Sequence, residues 1–233
     1  MVEAQVGGRR SEIGWKWVRS IYRAAQRLRL WLWPDEQRLH IRQVDGTPIM
    51  MLPGVFDGIR LRSGAFLAQT FAALPIPANA QVLDLGTGSG VGAIFAARRA
   101  ARVVATDINP EAVRCAQVNA LVLHLDHKIQ VRTGDLFEPV CDEQFDVILF
   151  NPPFYRGQPR DIADHAWRSP DVFDRFLHEL PTHLCPGGFA LVVLSTDGDI
   201  ADTLFSTGNL VVHPVKNRDF RGGLLRPEDG PVW

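Results

Sequence analysis

The run Asp84-Leu85-Gly86-Thr87-Gly88-Ser89-Gly90 constrains the fold more than any other part of this sequence. It follows a short apolar strand expected over 82–85 and opens a helix expected over 91–99. Glycine at every second position lets the backbone turn sharply and lets a ligand approach it closely. A strand that turns directly into a helix is half of a parallel βαβ unit, so the question becomes whether the units repeat.

They do. Arg102–Thr106 reads as a strand, Pro110–Leu121 as a helix with proline in its first turn, and Ile129–Arg132 and Val147–Phe150 as strands. A helix is expected over Val172–Leu180, then Pro186-Gly187-Gly188, a strand over Phe189–Ser195 and an antiparallel late strand over Leu210–His213. Upstream, Leu39–Met51 suits two short strands about an Asp45-Gly46 turn, and Ser63–Leu74 suits a helix. The expected fold class is α/β: a doubly wound, Rossmann-like, mostly parallel sheet of seven strands with an N-terminal helical extension. Residues 1–51 form a basic helical segment with short strands, and residues 52–233 the main domain.

Within that frame several polar residues fall at strand ends. Asp84 precedes the first glycine by two residues and would repel a pyrophosphate, and the glycine spacing is G-x-G-x-G rather than the dinucleotide G-x-G-x-x-G. The ligand beside Gly86, Thr87, Gly88 and Gly90 should therefore lack phosphate there. Asp107, in Thr106-Asp107-Ile108-Asn109-Pro110, lies about 20 residues beyond the loop, where a carboxylate accepts from ribose hydroxyls. Asn109, directly before Pro110, suits the helix cap. Asp135 follows the third strand and is placed to accept from an adenine amino group, with Leu136 against the base edge; a solvated loop aspartate is the alternative. Asn151-Pro152-Pro153-Phe154 ends the apolar run Phe145–Phe150, and its two prolines hold the Asn151 amide on a stiff turn suited to gripping another planar N–H group.

In this order and spacing, DLGTGSG, TDINP, GDL and NPPF resemble class I S-adenosylmethionine-dependent methyltransferases, over roughly residues 53–195. NPPF is similar to the signature of enzymes that methylate planar nitrogens, and the nearest likeness is to the HemK-like group, which includes release-factor glutamine methyltransferases. The resemblance implies S-adenosyl-L-methionine as cofactor. It implies that Gly86–Gly90 hold the methionine part with Asp84 near its amino group, that Asp107 with Ile108 meets the ribose, and that Asp135 with Leu136 meets the adenine. It further implies that Asn151 and the Pro152 carbonyl accept from the target nitrogen while Phe154 stacks on its plane. Arg60, Arg62 and Ser63 are candidates for lining the entrance. A protein glutamine amide is the leading acceptor, with an adenine or guanine amino group in RNA or DNA as the rival. A small-molecule acceptor and a cofactor-binding module without catalysis stay open.

Composition narrows the setting. A net charge of −1 over 233 residues argues against a surface built throughout for nucleic acid. Cys115, Cys141 and Cys185 fit neither a disulfide framework nor a zinc site, and the histidines lack metal-ligand spacing, so a reducing, cytoplasmic setting and no metal are expected. No apolar stretch approaches a bilayer span. The first 33 residues hold Arg9, Arg10, Lys16, Arg19, Arg23, Arg27 and Arg29 together with Trp15, Trp17, Trp31 and Trp33. This segment suits contact with RNA, a protein or an anionic surface, or a helix packed on the domain with snorkelling arginines. His165 and Trp167 read as loop anchors first and as parts of a substrate lid second.

Overall fold

A computed structural model describes residues 38–195, 198–201, 203 and 210–218. The helix and basic, tryptophan-rich stretch expected within residues 1–33 lie outside the described residues.

Two strands, β1 (His40–Val44) and β2 (Thr47–Met51), form an antiparallel hairpin. Its two-residue turn has Asp45 and Gly46 both at positive φ, 47° and 73°, the twist that suits right-handed strands. Alternation sends Val44, Ile49 and Met51 into the core. The chain then crosses to α1 (Ser63–Ala73), which Arg62 enters in the left-handed region at φ 71°.

Strands β3 (Gln81–Leu85), β4 (Arg102–Asp107), β5 (Ile129–Thr133) and β6 (Phe145–Phe150) follow. Helices α2 (Val91–Ala97) and α3 (Pro110–Val122) succeed β3 and β4. After β6 come a short parallel pair, β7 (Tyr155–Arg156) with β8 (Arg168–Ser169), then α4 (Val172–His183) and β9 (Leu184–Val192). The main sheet has five parallel strands in the order β5-β4-β3-β6-β9.

Strand alternation divides the interior in two. Val82, Val103, Ala105, Val147 and Leu149 meet α1, α2, α3 and the hairpin on one face. Leu83, Leu85, Val104, Ile148 and Phe150 meet Phe173, Phe176, Leu177 and Leu180 of α4 on the other. Every residue of α2 is buried, which its mostly small side chains allow between sheet and neighbouring helices. Each buried aromatic of α4 contributes about 1.5–3 kcal/mol of transfer free energy.

Three expectations are corrected. Among the described residues the main sheet has five strands, not seven. The last of them starts at Leu184, which pairs with Phe145, and resumes at Phe189 opposite Val147; Pro186-Gly187-Gly188 forms a bulge within it rather than a turn before it, and the strand stops at Val192 rather than Ser195. The stretch 210–213 is not a strand: no ladder reaches it, and Val211 is 84% exposed, so its β-forming side chains have no sheet face to bury. Helix α4 also runs through Pro181 to His183, past the expected end at Leu180. Among the described residues no helix is long and apolar enough to cross a membrane.

Candidate functional site

Strand β3 lies between β4 and β6, so successive connections leave it in opposite directions, and a crevice opens at the carboxyl ends of these strands. The glycine loop, Asp107 and Asn151 all stand there.

The loop turns through Gly86, Gly88 and Gly90 at φ 61°, 55° and 82°, conformations that a Cβ would strain. Thr87 and Ser89 face inward and are buried, while Gly86 is exposed and Gly88 half-exposed, leaving a backbone surface bare of side chains. Asp84 braces this loop from beneath. One of its oxygens accepts from the Thr87 hydroxyl (2.6 Å) and from the Ala93 amide (2.8 Å). Burial pushes the Asp84 carboxyl up to about 6, against those two hydrogen bonds and with the help of the like charge of Asp107.

Asp107 closes the loop from the side. Its Oδ2 accepts from the Gly88 amide and its Oδ1 from the Asn109 amide, both at 2.9 Å. Burial raises its pKa, while those amides and the charge of nearby His165 oppose the rise. Ile108 beside it is half-exposed. Asn109 caps α3 as expected, accepting from the Glu111 amide at 3.0 Å, and its Nδ2 donates to the Gly54 carbonyl at 3.0 Å.

At the end of β5, the Gly134 amide donates to the Asp107 carbonyl (3.1 Å), tying the two strand ends together. Both Asp135 oxygens accept from Arg175 of α4. A carboxylate has four lone-pair directions, so this pairing leaves acceptor capacity for an adenine amino group. Leu136 is buried beside it, with φ 46°.

Asn151 follows β6. Its Nδ2 donates to the Ser63 hydroxyl at 3.1 Å, across 88 positions of sequence. Its Oδ1 is buried with no hydrogen-bond partner among the described residues. An orphaned carbonyl of this kind costs about 1–3 kcal/mol, a cost that a donor arriving from a substrate would remove. Pro152 is buried, and the half-buried Phe154 packs where the two core clusters meet. Its carbonyl accepts from the Asp199 amide at 2.7 Å.

The segment after Phe154 doubles back through β7 and β8 and brings Trp167 edge-on to Phe56, ring centroids 4.9 Å apart. The Phe56 carbonyl in turn lies 4.0 Å from where a Cβ on Gly88 would stand. Trp167 thus joins the loop that follows Phe154 to the segment that lies over Gly88.

Of the entrance candidates, Ser63 reaches Asn151, the Arg60 amide donates to Asp57 (2.8 Å), and Arg62 is exposed at the start of α1. Several structural contributors are unmarked in the sequence reading. A Cβ on Gly92 would lie 2.6 Å from Asp84 Oδ1, so that glycine makes room for the brace. Asn119, buried in α3, accepts from the Met50 amide (2.8 Å) and donates to the carbonyls of Met50 (2.7 Å) and Ser89 (2.9 Å), joining the hairpin to the glycine loop. A polar residue within the stripe Ala112, Cys115, Ala116 and Ala120 is the available signal. Phe56 acts through a distant partner and carries no local signal.

The site fits S-adenosylmethionine on these grounds: a bare loop backbone, a carboxylate at the end of the adjacent strand, and an unpartnered acceptor opposite them. Comparison with known proteins agrees. The model of the methyltransferase small domain family matches residues 46–220. A ribosomal RNA small subunit methyltransferase C from Hamiltonella defensa is 33% identical over 63% of this chain and 40% of its own length. A ribosomal protein uL3 glutamine methyltransferase from Bradyrhizobium diazoefficiens is 34% identical over 54% and 44%. The chain therefore spans less than half the length of either relative. Among solved structures, the T. thermophilus 16S rRNA N2-guanine methyltransferase with AdoMet and guanosine superposes at TM-score 0.58 with 26% identity, over 72% of this chain and 45% of that one. The chain belongs to the methyltransferase small domain family and has the fold of S-adenosylmethionine-dependent methyltransferases.

Proposed function

We propose that this chain methylates a planar nitrogen, and that the nitrogen is the side-chain amide of a glutamine in a protein. The observation that carries the first part is the divided Asn151 amide, whose Nδ2 is held by Ser63 while Oδ1 is buried and unpartnered. An amide or amino N–H aimed at that oxygen satisfies it and turns the nitrogen's out-of-plane electron pair toward the cofactor. When bound, S-adenosylmethionine supplies an electrophilic methyl on its sulfonium. Transfer would form a C–N bond at the expense of that S–C bond, and the nitrogen's surplus proton would go to solvent. The residues supply alignment, which can be worth a large effective molarity.

The charge pattern of the rim supports a protein substrate. Arg156 pairs with Asp174, Arg160 and Arg168 with Asp164, and Arg175 with Asp135. A face whose arginines are matched by carboxylates is poorly equipped to displace counterions from a phosphate backbone. A specific observation favours a second reading, a guanine amino group in RNA: the guanosine-bound neighbour has the same fold over 72% of this chain. The basic segment within residues 1–33 would then extend the contact.

Labelled methyl transfer into a cell lysate, followed by protease and nuclease digestion, tests both. Label released by protease and recovered as N-methylglutamine supports the first reading, and label released by nuclease supports the second. Asn151→Ala should lower incorporation by about 100-fold or more, the loss typical of removing one group that aligns the reacting atoms. Full activity in that variant would refute the acceptor role.

A further inference from the structure

Asn151 has two ends of nearly equal size and opposite hydrogen-bonding character, so its value as an acceptor depends on which end faces the crevice. Flipped, the amide would present Nδ2 to a substrate N–H, donor against donor. We propose that Ser63 is the positioning residue that anchors this amide at the crevice, an inference that rests on the acceptor role given to Asn151 above. A hydroxyl can pair with either end, so it sets the amide's place and a substrate N–H then favours the end that accepts.

The geometry is specific. Ser63 is buried, and its Oγ accepts from Nδ2 at 3.1 Å, leaving Oδ1 as the end without a partner. The serine is itself held. Arg62, at φ 71°, swings the chain into α1, and the residue after the serine, Gly64, donates its amide to the Gly58 carbonyl at 3.0 Å. A Cβ on Gly64 would lie 3.3 Å from the Gly58 carbonyl carbon, so loop and helix start are in close contact there. Pro152 and Pro153 stiffen the other side of the bond. Two rigid turns, 88 positions apart in sequence, therefore meet through one hydroxyl and one amide.

The role is separable from cofactor binding, since Ser63 acts through Asn151 rather than through the glycine loop. Ser63→Ala leaves the Asn151 side chain without its anchor, while Ser63→Thr keeps the hydroxyl. In nitrogen-15 spectra, the Asn151 side-chain NH2 signal is identified as the one missing from Asn151→Ala. Its protons should exchange slowly in the wild type and in Ser63→Thr, and about tenfold faster or more in Ser63→Ala, as expected when one hydrogen bond is lost. The rate of label incorporation from saturating S-adenosylmethionine into lysate should fall about tenfold in Ser63→Ala, the loss expected when one hydrogen bond is removed. It should recover to within about threefold in Ser63→Thr, where the hydroxyl can still accept. Affinity for S-adenosylhomocysteine by calorimetry should be the same in all three proteins.

Unchanged amide exchange in Ser63→Ala would overturn the inference, as would a loss of rate explained by weaker cofactor affinity. Ser63→Thr performing no better than Ser63→Ala would do the same. If Asn151→Ala is itself fully active, the acceptor reading fails. If Asn151→Ala is inactive while Ser63→Ala is normal, only the positioning role of Ser63 fails.

Discussion

The guanidinium of Arg175 closes on both carboxylate oxygens of Asp135, Nη1 to Oδ2 at 2.7 Å and Nη2 to Oδ1 at 3.2 Å. This bidentate pair fastens α4 to the end of β5, on the expected adenine side. Both side chains are about 40% exposed, so the pair contributes at most about 1 kcal/mol to folding. Its larger effect is on orientation, because a carboxylate gripped at both oxygens cannot rotate freely.

Arg175→Met should therefore leave thermal stability nearly unchanged while weakening S-adenosylhomocysteine binding by about 3–10-fold, the loss expected when an acceptor is no longer preorganised. Calorimetric titration of the variant checks this. Unaltered affinity would mean that Asp135 does not contact the adenine.

Gly92 and Asp84 form a second coupled pair. A methyl at position 92 would stand 2.6 and 2.8 Å from the two Asp84 oxygens, and that carboxylate cannot retreat without leaving Thr87 and Ala93. Gly92→Ala should cost about 1–3 kcal/mol despite the better helix propensity of alanine. In an Asp84→Ala background the same substitution should cost far less, since the methyl then fills space that the carboxylate vacated. Urea unfolding of the four proteins in the cycle measures the coupling, and purely additive effects would exclude the steric account.

Trp167 and Phe56 carry a third prediction. Their edge-to-face contact at 4.9 Å links the loop after Phe154 to the segment lying over Gly88. Trp167→Ala should lose about 0.5–1.5 kcal/mol from the aromatic pair in addition to the buried area. It should also speed limited proteolysis within 155–169 severalfold. Equal cleavage rates would show that β7 and β8 hold this segment without the tryptophan.

The parts of the molecule legible in sequence are the local ones. A glycine loop, a cap such as Asn109 and a two-residue turn such as Asp45-Gly46 declare themselves within a few residues, because the backbone there can satisfy only one geometry. The start of β9 is not legible in this way because its pairing is not local. Leu184 finds Phe145 through the ladder, and Pro186-Gly187-Gly188, a turn signal by composition, is accommodated as a bulge once the neighbouring strand fixes the register. The stretch 210–213 shows the converse: β propensity describes a residue's fit to a sheet surface and cannot supply the surface. Within the site, the strand-end positions of Asp107, Asp135 and Asn151 follow from the alternation, whereas the partners that orient two of them, Arg175 and Ser63, lie 40 and 88 positions away.

Asp84 gives the chain a pH dependence opposite to that of its arginine-paired carboxylates. Its folded-state pKa, raised by burial to about 6 from an ordinary 3.8, means that the folded chain binds this proton more tightly than the unfolded chain does. Stability from this group is therefore greatest below about pH 4 and is lost as the pH rises to 6, after which it is constant. The full change is about 3 kcal/mol. Burial acts to raise Asp164 and Glu143 as well, yet hydrogen bonds from arginines outweigh it and hold both below the usual carboxylate range; an arginine hydrogen bond likewise lowers Asp174. These three work the other way and lose their contribution as the pH falls. Comparing the wild type with Asp84→Asn cancels those contributions. The stability of the wild type minus that of Asp84→Asn should fall by about 2–3 kcal/mol between pH 4 and pH 7 in urea titrations. A flat difference would mean that the Thr87 and Ala93 hydrogen bonds fully offset the burial of the charge, leaving the glycine loop braced by an ordinary ionised carboxylate.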